Sequence, residues 1–319
     1  MATVSFQACA TYESTALASA LEKLWQPWGG LATFVKPGDR VLLKPNLLTG
    51  ARPERQCTTH PQLVAVVAQQ VRAVGGCPFL GDSPAFGSAV GVARANGLWE
   101  LAQSLDLPIV EFQGDRYAVP GEFGHLRLSR EAMGADVLIN LPKVKSHCQL
   151  TLTLGVKNLF GCVPGKMKAW WHLEAGKDVD RFARMLVETA RTLAPQLTIA
   201  DGIVGHEGNG PSNGEPRFLG FLGAATDVFA LDLALVQCLG VDPAAVPTLR
   251  AAAQLGLSPT TLDWVGAPLE TLQVTDWRLP SQPMPIDFGL PRVLRSTLKH
   301  LYIRYIKEPL RAYTTPSRT

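Results

Sequence analysis

Short apolar runs alternate with longer amphipathic stretches along most of the chain. Val4–Ala8, Arg40–Leu43, Pro78–Leu80, Pro108–Phe112, Asp136–Asn140 and Leu197–Ala200 read as strands. Between them, Thr15–Trp25, Pro61–Val74, Val179–Leu193 and Ala225–Leu239 carry helical spacing. In the second of these, Leu63, Val64, Val67 and Val71 share one face, and Gly75-Gly76 supplies a stop. The alternation predicts an α/β fold: a mainly parallel sheet flanked by helices. Two lobes are expected within residues 1–290, joined by the irregular stretch near 113–130, with a basic helix and tail over 291–319.

Polar residues collect where the apolar strands stop. Val41-Leu42-Leu43 runs into Lys44-Pro45-Asn46, and Phe79-Leu80 into Gly81-Asp82-Ser83-Pro84. Val137-Leu138-Ile139 runs into Asn140-Leu141-Pro142-Lys143-Val144-Lys145-Ser146-His147. Leu197-Thr198-Ile199 runs into Ala200-Asp201-Gly202, followed by the glycine-rich Gly205-His206-Glu207-Gly208. Parallel sheets bind ligands beyond the carboxyl ends of their strands, so the four clusters are expected to converge on one cleft.

The third cluster carries the sharpest chemistry. In an extended segment Lys143, Lys145 and His147 project from one face, at i, i+2 and i+4. Adjacent ammonium groups repel unless an anion lies between them, and crowding lowers a lysine pKa toward catalytic use. The plainer alternative is a solvated strand edge. Asp82 and Asp201 follow strands and precede expected turns, which suits a metal ligand, a general base or a turn cap, and for Asp201 the nearby His206 and Glu207 favour the functional roles. His206 shares the loop after Asp201, and Cys148 adjoins His147; both join Asp82 and Asp201 as candidate metal ligands.

A short amphipathic helix is expected around Leu152, Val156, Leu159 and Phe160, with Lys157 and Lys166 as two further cations. Gly161 to Lys166 is not a nucleoside-triphosphate loop, because Met167 stands where Ser or Thr is needed.

Composition narrows the class. Of 319 residues, 46% are hydrophobic and 18% charged, enough to bury a large core. A net charge of +3 is too mild for a nucleic-acid binder. The six cysteines are scattered without a C-x-x-C pair, which argues against a disulfide scaffold or zinc ribbon and for reduced thiols. No basic n-region precedes an apolar stretch at the start, and no run approaches the ~18 apolar residues of a membrane span, so a cytoplasmic protein is expected.

The motifs resemble a family catalogued as domain of unknown function number 362. The matching stretches are Leu43-Lys44-Pro45-Asn46, Gly81-Asp82-Ser83-Pro84, Asn140 to His147, Gly155-Val156-Lys157-Asn158-Leu159-Phe160-Gly161, Pro164-Gly165, Ala200-Asp201-Gly202 and Asp227 to Asp232. Many relatives carry a ferredoxin-like module with iron–sulfur clusters, so the resemblance implies work with iron–sulfur partners. No C-x-x-C-x-x-C-x-x-x-C run occurs here, and a cluster in this chain has no cysteine motif behind it.

In the tail, Arg292, Arg295, Lys299, Arg304, Lys307, Arg311 and Arg318 outweigh one acid, Glu308. Leu294, Leu298, Leu301, Tyr302 and Tyr305 fall on one helical face. Such a helix either docks that face on the body, with its cations solvated, or meets an acidic protein or an anionic membrane surface.

The function expected from these residues is an enzyme acting on a small carboxylate or phosphate. Lys44, Asn46, Lys143, Lys157 and Lys166 would hold the anion, and His147, Lys145 and Asp201 would carry catalysis. The alternatives are a metal-binding or redox protein with a divalent metal or a redox partner, and a non-catalytic binding or assembly factor.

Overall fold

A computed structural model describes residues 1–112, 117–118, 121–165, 167–175, 178–286, 294 and 298–309. Strands and helices alternate at first: β1 (Ala2–Ala8), α1 (Ser14–Trp25), β2 (Arg40–Pro45), α2 (Pro61–Ala73), β3 (Cys77–Asp82), α3 (Ala89–Asn96), α4 (Leu98–Ser104) and β4 (Ile109–Glu111). A small hairpin, β5 (Tyr117–Ala118) and β6 (Arg127–Leu128), and α5 (Arg130–Met133) lead into β7 (Val137–Leu141), β8 (Lys143–His147) and β9 (Thr151–Thr153). Helices α6 (Gly155–Leu159), α7 (Met167–Ala175) and α8 (Val179–Leu193) precede the long strands β10 (Leu197–Glu207) and β11 (Glu215–Ala225). Helices α9 (Val228–Cys238) and α10 (Pro247–Gln254), strand β12 (Leu262–Gly266) and α11 (Leu269–Leu272) follow.

One ten-stranded sheet runs β12-β1-β11-β10-β7-β2-β3-β4, with β8 and β9 attached through β10. The pairings among β10, β7, β2, β3 and β4 are parallel, as is β1 with β12; β11 is antiparallel to both its neighbours. The expected α/β class and mainly parallel sheet are therefore present. The central strands are apolar on both faces because both are covered. Val41, Leu43, Val137 and Ile139 pack with Leu21, Leu24, Leu63 and Val67 of α1 and α2. Leu42 and Leu138, one residue out of phase, pack with Phe182 and Leu186 of α8. Each such side chain contributes roughly 1.5–3 kcal/mol when fully buried.

Helix starts follow from local chemistry. Asp178 accepts from the amides of Asp180 and Arg181, and Asp227 from those of Phe229 and Ala230, each satisfying donors that the first helical turn leaves unpaired. Pro61 opens α2 where its missing N–H costs nothing.

The strand after α8 departs from expectation. Leu197–Ala200 was to end in a turn at Asp201, yet β10 continues through Asp201 and His206 to Glu207. Partners on both sides hold it extended. β11 pairs along its length with an irregularity between Gly202 and Val204, while β7 and then β8 pair with its other edge. Pro142 separates β7 from β8, and its carbonyl accepts from the Asp201 amide at 2.8 Å, so the ladder crosses the break.

Candidate functional site

Because β8 continues beside β10, it lifts its lysines off the sheet into the space beyond β2 and β3. Lys44, Lys143 and Lys145 are fully buried, so the solvated-edge alternative does not apply. Two of these cations face carboxylates. Lys44 Nζ lies 3.0 Å from Asp82 Oδ1, and Lys143 Nζ lies 3.0 Å from Asp201 Oδ2.

Both acids are fully engaged. Asp82 also accepts from the amides of Leu47 and Ser83, each at 2.7 Å. Asp201 accepts from the Tyr12 hydroxyl at 2.6 Å and the His60 amide at 2.9 Å. Burial, and then the Asp201 charge, hold the Tyr12 hydroxyl well above its ordinary value, so it remains a donor. Tyr12 also stacks on His60 with centroids 3.7 Å apart, and accepts from Lys143 at 2.9 Å.

The Lys44–Asp82 pair fits only because position 161 is glycine. A Cβ there would stand 2.1 Å from Asp82 Oδ1 and 2.5 Å from Lys44 Nζ. The glycine that closes the Lys157 to Gly161 stretch thus makes room for the ion pair.

Lys145 has no carboxylate. It donates to Asn46 Oδ1 at 2.8 Å and to the Cys57 carbonyl at 2.5 Å. From Asn46 a ladder of amides runs in one sense. Asn46 Nδ2 donates to Asn158 Oδ1 at 2.9 Å, Asn158 Nδ2 to Asn140 Oδ1 at 2.8 Å, and Asn140 Nδ2 to the Gly155 carbonyl at 3.1 Å. Aligned bonds of this kind polarise one another. Asp232 secures the far end, accepting from the amides of Gly155 at 2.7 Å and Val156 at 3.0 Å. Burial pushes its carboxyl up to about 7.

A cavity of about 270 Å³ opens above this framework. Lys145, Lys157, Lys168 and His147 contribute its cationic and imidazole wall, with Asn46, Asp82, Asn158 and His172. Leu47, Leu48, Pro84, Phe86 and Phe160 add apolar lining, and Lys157 Nζ lies over the Phe160 ring. Among the described residues, Lys145, Lys157 and Lys168 lie within 4.0 Å of no carboxylate. Burial lowers all three: Lys145 to about 7, Lys157 to about 7 and Lys168 to about 8, with neighbouring lysines adding to the effect. Burial, then the charges of Lys157 and Lys145, hold His147 well below its ordinary value, so the ring is neutral. The Gln149 amide donates to its Nδ1 at 3.1 Å, which puts the ring proton on Nε2.

The expected site residues therefore divide. Lys145, His147, Lys157, Asn46 and Asp82 reach the cavity, while Lys44, Lys143 and Asp201 stand behind it in ion pairs. Lys166 lies outside the described residues. His206 is fully buried, pairs opposite Lys145 in the sheet, and accepts from the Gly214 amide through Nε2. Burial lowers it to about 4. Among the described residues no group of three His, Cys, Asp or Glu side chains is placed to hold a metal ion, so the donor set gives Asp82, Asp201, His206 and Cys148 no support as ligands. Cys162, fully buried, has its thiol pushed up to about 12, which suits a packed core residue.

Sequence reading does not single out Tyr12, the asparagine ladder or Lys168. Asn46, Asn140 and Asn158 each sit inside a strand-end or Lys-Asn motif, and that shared placement was the available signal. Tyr12 and Lys168 belong to no such motif.

In the tail, the structure leaves most of the expected apolar face exposed. Residues 298–309 are helical, with a π-helical turn over Ile303–Lys307. The face carrying Leu294, Leu298, Tyr302 and Tyr305 is not docked: these side chains are 61, 58, 55 and 67% exposed. Leu301, the remaining member of that face, meets the body together with its polar neighbours. Glu308 accepts from the Ser88 amide at 2.9 Å and its hydroxyl at 2.7 Å, Lys299 lies over the Phe86 ring, and His300 and Leu301 border the cavity.

The chain is thus an α/β protein with a mainly parallel sheet and a lysine-rich cavity beyond its strand ends. The chain belongs to the family described as domain of unknown function (DUF362), whose model matches residues 41–237. It is 62% identical over 315 residues to "Thylakoid-associated protein sll1697" of Synechocystis sp., covering 98% of each chain. Among solved structures it is similar to the lactate racemase apoprotein of Thermoanaerobacterium thermosaccharolyticum, at 14% identity and a TM-score of 0.48. That match covers 73% of this chain and 55% of the racemase, so the chain spans little more than half of its length.

Proposed function

We propose that the chain is an enzyme acting on a small anionic substrate, a carboxylate or a phosphate, in the lysine-lined cavity. The observation that carries this reading is the surplus of cations. Lys44 and Lys143 have their own carboxylates, whereas Lys145, Lys157 and Lys168 share a cavity whose carboxylate, Asp82, is already paired with Lys44. Three crowded amines are costly to protonate unless an anion arrives with them. An anion bound there would accept charge-assisted hydrogen bonds from all three. Neutral His147 would donate its Nε2–H to the same ligand, as an electrophile or acid. Lys143, Asp201 and Tyr12 would act as positioning residues, fixing β8 against β10. Isothermal calorimetry with sulfate, phosphate and small carboxylates tests the site. Micromolar to millimolar binding that weakens at least tenfold in Lys145→Met supports it; equal binding by that variant removes it.

A second reading concerns the C-terminal helix and is favoured by its undocked face. Leu294, Leu298, Tyr302, Tyr305 and Ile306 recur at three- and four-residue spacing and are all exposed, with Lys299, Arg304 and Lys307 beside them. An apolar stripe flanked by cations suits an anionic membrane surface, where the helix lies in the interface. The 62%-identical relative, named as thylakoid-associated, supports that direction. Among the described residues no helix is long and apolar enough to cross a membrane, so contact of this kind would be peripheral.

A further inference from the structure

The three amines of the cavity are not equivalent. Lys145 is tied by Asn46 and the Cys57 carbonyl, and Lys168 by the Ser83 carbonyl. Lys157 has no hydrogen-bond acceptor among the described residues. Its amine lies over the face of Phe160, 4.6 Å from the ring centroid. Burial, then the charges of Lys168, Lys145 and Lys44, bring it down to about 7, so a large fraction is neutral at physiological pH. Its backbone is nevertheless fixed. Asp232 holds the two amides before it, and Asn158, the next residue, sits in the asparagine ladder. An amine without a hydrogen-bond acceptor, rigidly mounted in a cavity where two further amines are held by hydrogen bonds, has the attributes of a nucleophile.

We propose that Lys157 attacks the carbonyl carbon of an aldehyde or ketone substrate that also carries a carboxylate or phosphate, forming an imine, while Lys145 and Lys168 hold the anionic group. This rests on the anionic-substrate reading and specifies its chemistry. The Nζ lone pair forms the new C–N bond as the carbonyl π pair moves to oxygen. One amine hydrogen passes to that oxygen to give the carbinolamine. The C–O bond then breaks, and the oxygen leaves as water with the second amine hydrogen. No oxidant or reductant takes part. His147 lines the same cavity with Nδ1 occupied by the Gln149 amide, so its Nε2–H would be the group to hydrogen-bond the departing oxygen.

The full chain incubated with pyridoxal 5′-phosphate, an aldehyde bearing a phosphate, and then reduced with borohydride gives a direct readout. The expected result is about one reduced adduct per chain, mapped by peptide mass spectrometry to Lys157 and suppressed by excess sulfate. Lys157→Arg keeps a cation and the fold. It is expected to lose the adduct while keeping a wild-type melting temperature and far-ultraviolet circular dichroism spectrum. Labelling scattered over exposed lysines such as Lys23 and Lys36, with Lys157 unmodified, overturns the imine. If sulfate binds by calorimetry and Lys157 stays unmodified, the imine fails and the anion site stands. If neither sulfate nor pyridoxal 5′-phosphate binds in the cavity, the anion reading fails with it.

Discussion

Lys143 and Asp201 meet at 3.0 Å across adjacent parallel strands, and neither side chain retains any contact with solvent. Tyr12 closes the pair from a third element, donating to Asp201 and accepting from Lys143. A buried pair of this kind contributes little over an apolar one of the same volume, but breaking it strands a charge. Lys143→Met is therefore expected to lower stability by about 3–5 kcal/mol. The double variant Lys143→Met, Asp201→Asn, which keeps an acceptor oxygen beside Tyr12 and the His60 amide, should recover much of that loss. Denaturant midpoints of the two variants measure the difference.

Anion binding should depend on pH through Lys145, Lys157 and Lys168. With amines lowered to about 7, 7 and 8, the cavity is cationic below neutrality and loses charge as pH rises through 7 to 8. Sulfate, which does not titrate in this range, should bind progressively more weakly from pH 6 to pH 9. The ligand-free protein should show the opposite slope. Between about 7 and the ordinary lysine value of 10.5 the unfolded chain binds more protons than the folded one, so these lysines make folding more favourable as pH rises. Melting temperatures of wild type and Lys157→Met, compared at pH 7 and pH 10, should move in favour of wild type at the higher pH.

Gly161→Ala would drive a methyl group into the Lys44–Asp82 pair, whose atoms lie 2.1 and 2.5 Å from the position it would take. Overpacking of this type costs about 1–3 kcal/mol. Because the displaced atoms border the cavity, sulfate affinity should fall together with the melting temperature. An alanine variant with wild-type stability and binding would show that the pair has room to move.

Asp232 supports the segment that carries Lys157. Asp232→Ala leaves two buried amides without an acceptor, at about 1–3 kcal/mol each. Asp232→Asn keeps one acceptor oxygen and should be milder. The wild-type carboxyl, raised to about 7 from an ordinary 3.8, favours folding fully below that lower value and loses the benefit as pH climbs toward 7. Wild type should accordingly lose stability relative to the asparagine variant between pH 4 and pH 7, as chemical denaturation at several pH values will record.

For the C-terminal helix, flotation with phosphatidylglycerol vesicles at low salt separates the outcomes. Wild type is expected to float, and a Leu298→Ser, Tyr302→Ser, Tyr305→Ser variant to bind at least tenfold less. A wild-type protein that stays at the bottom of the gradient ends the membrane reading.

What the sequence discloses about this molecule follows the range of its interactions. Apolar runs locate β2, β3 and β7 within two residues because strand formation there is dictated by local burial on both faces. The lysines at their ends are equally visible. Where their charges go is not. Asp201 is paired by Tyr12, which lies 189 residues away in the chain, and topology alone brings them together. That is also why Asp201 and His206, read as turn and loop, stand in a strand: the neighbours that extend β10 come from elsewhere. In the tail, periodicity identifies an apolar face but not what it meets. Glu308, unremarkable in sequence, docks on Ser88, and Leu294, Leu298, Tyr302 and Tyr305 are left exposed.

The amide ladder beneath Lys145 has a further consequence. A lysine amine donates hydrogen bonds whether or not it carries the extra proton, so Asn46, Asn158 and Asn140 experience the same donor in either state. No amide needs to flip when the charge changes. The cavity can therefore alternate between cationic and neutral while its walls stay in register, and selectivity by shape is uncoupled from selectivity by charge.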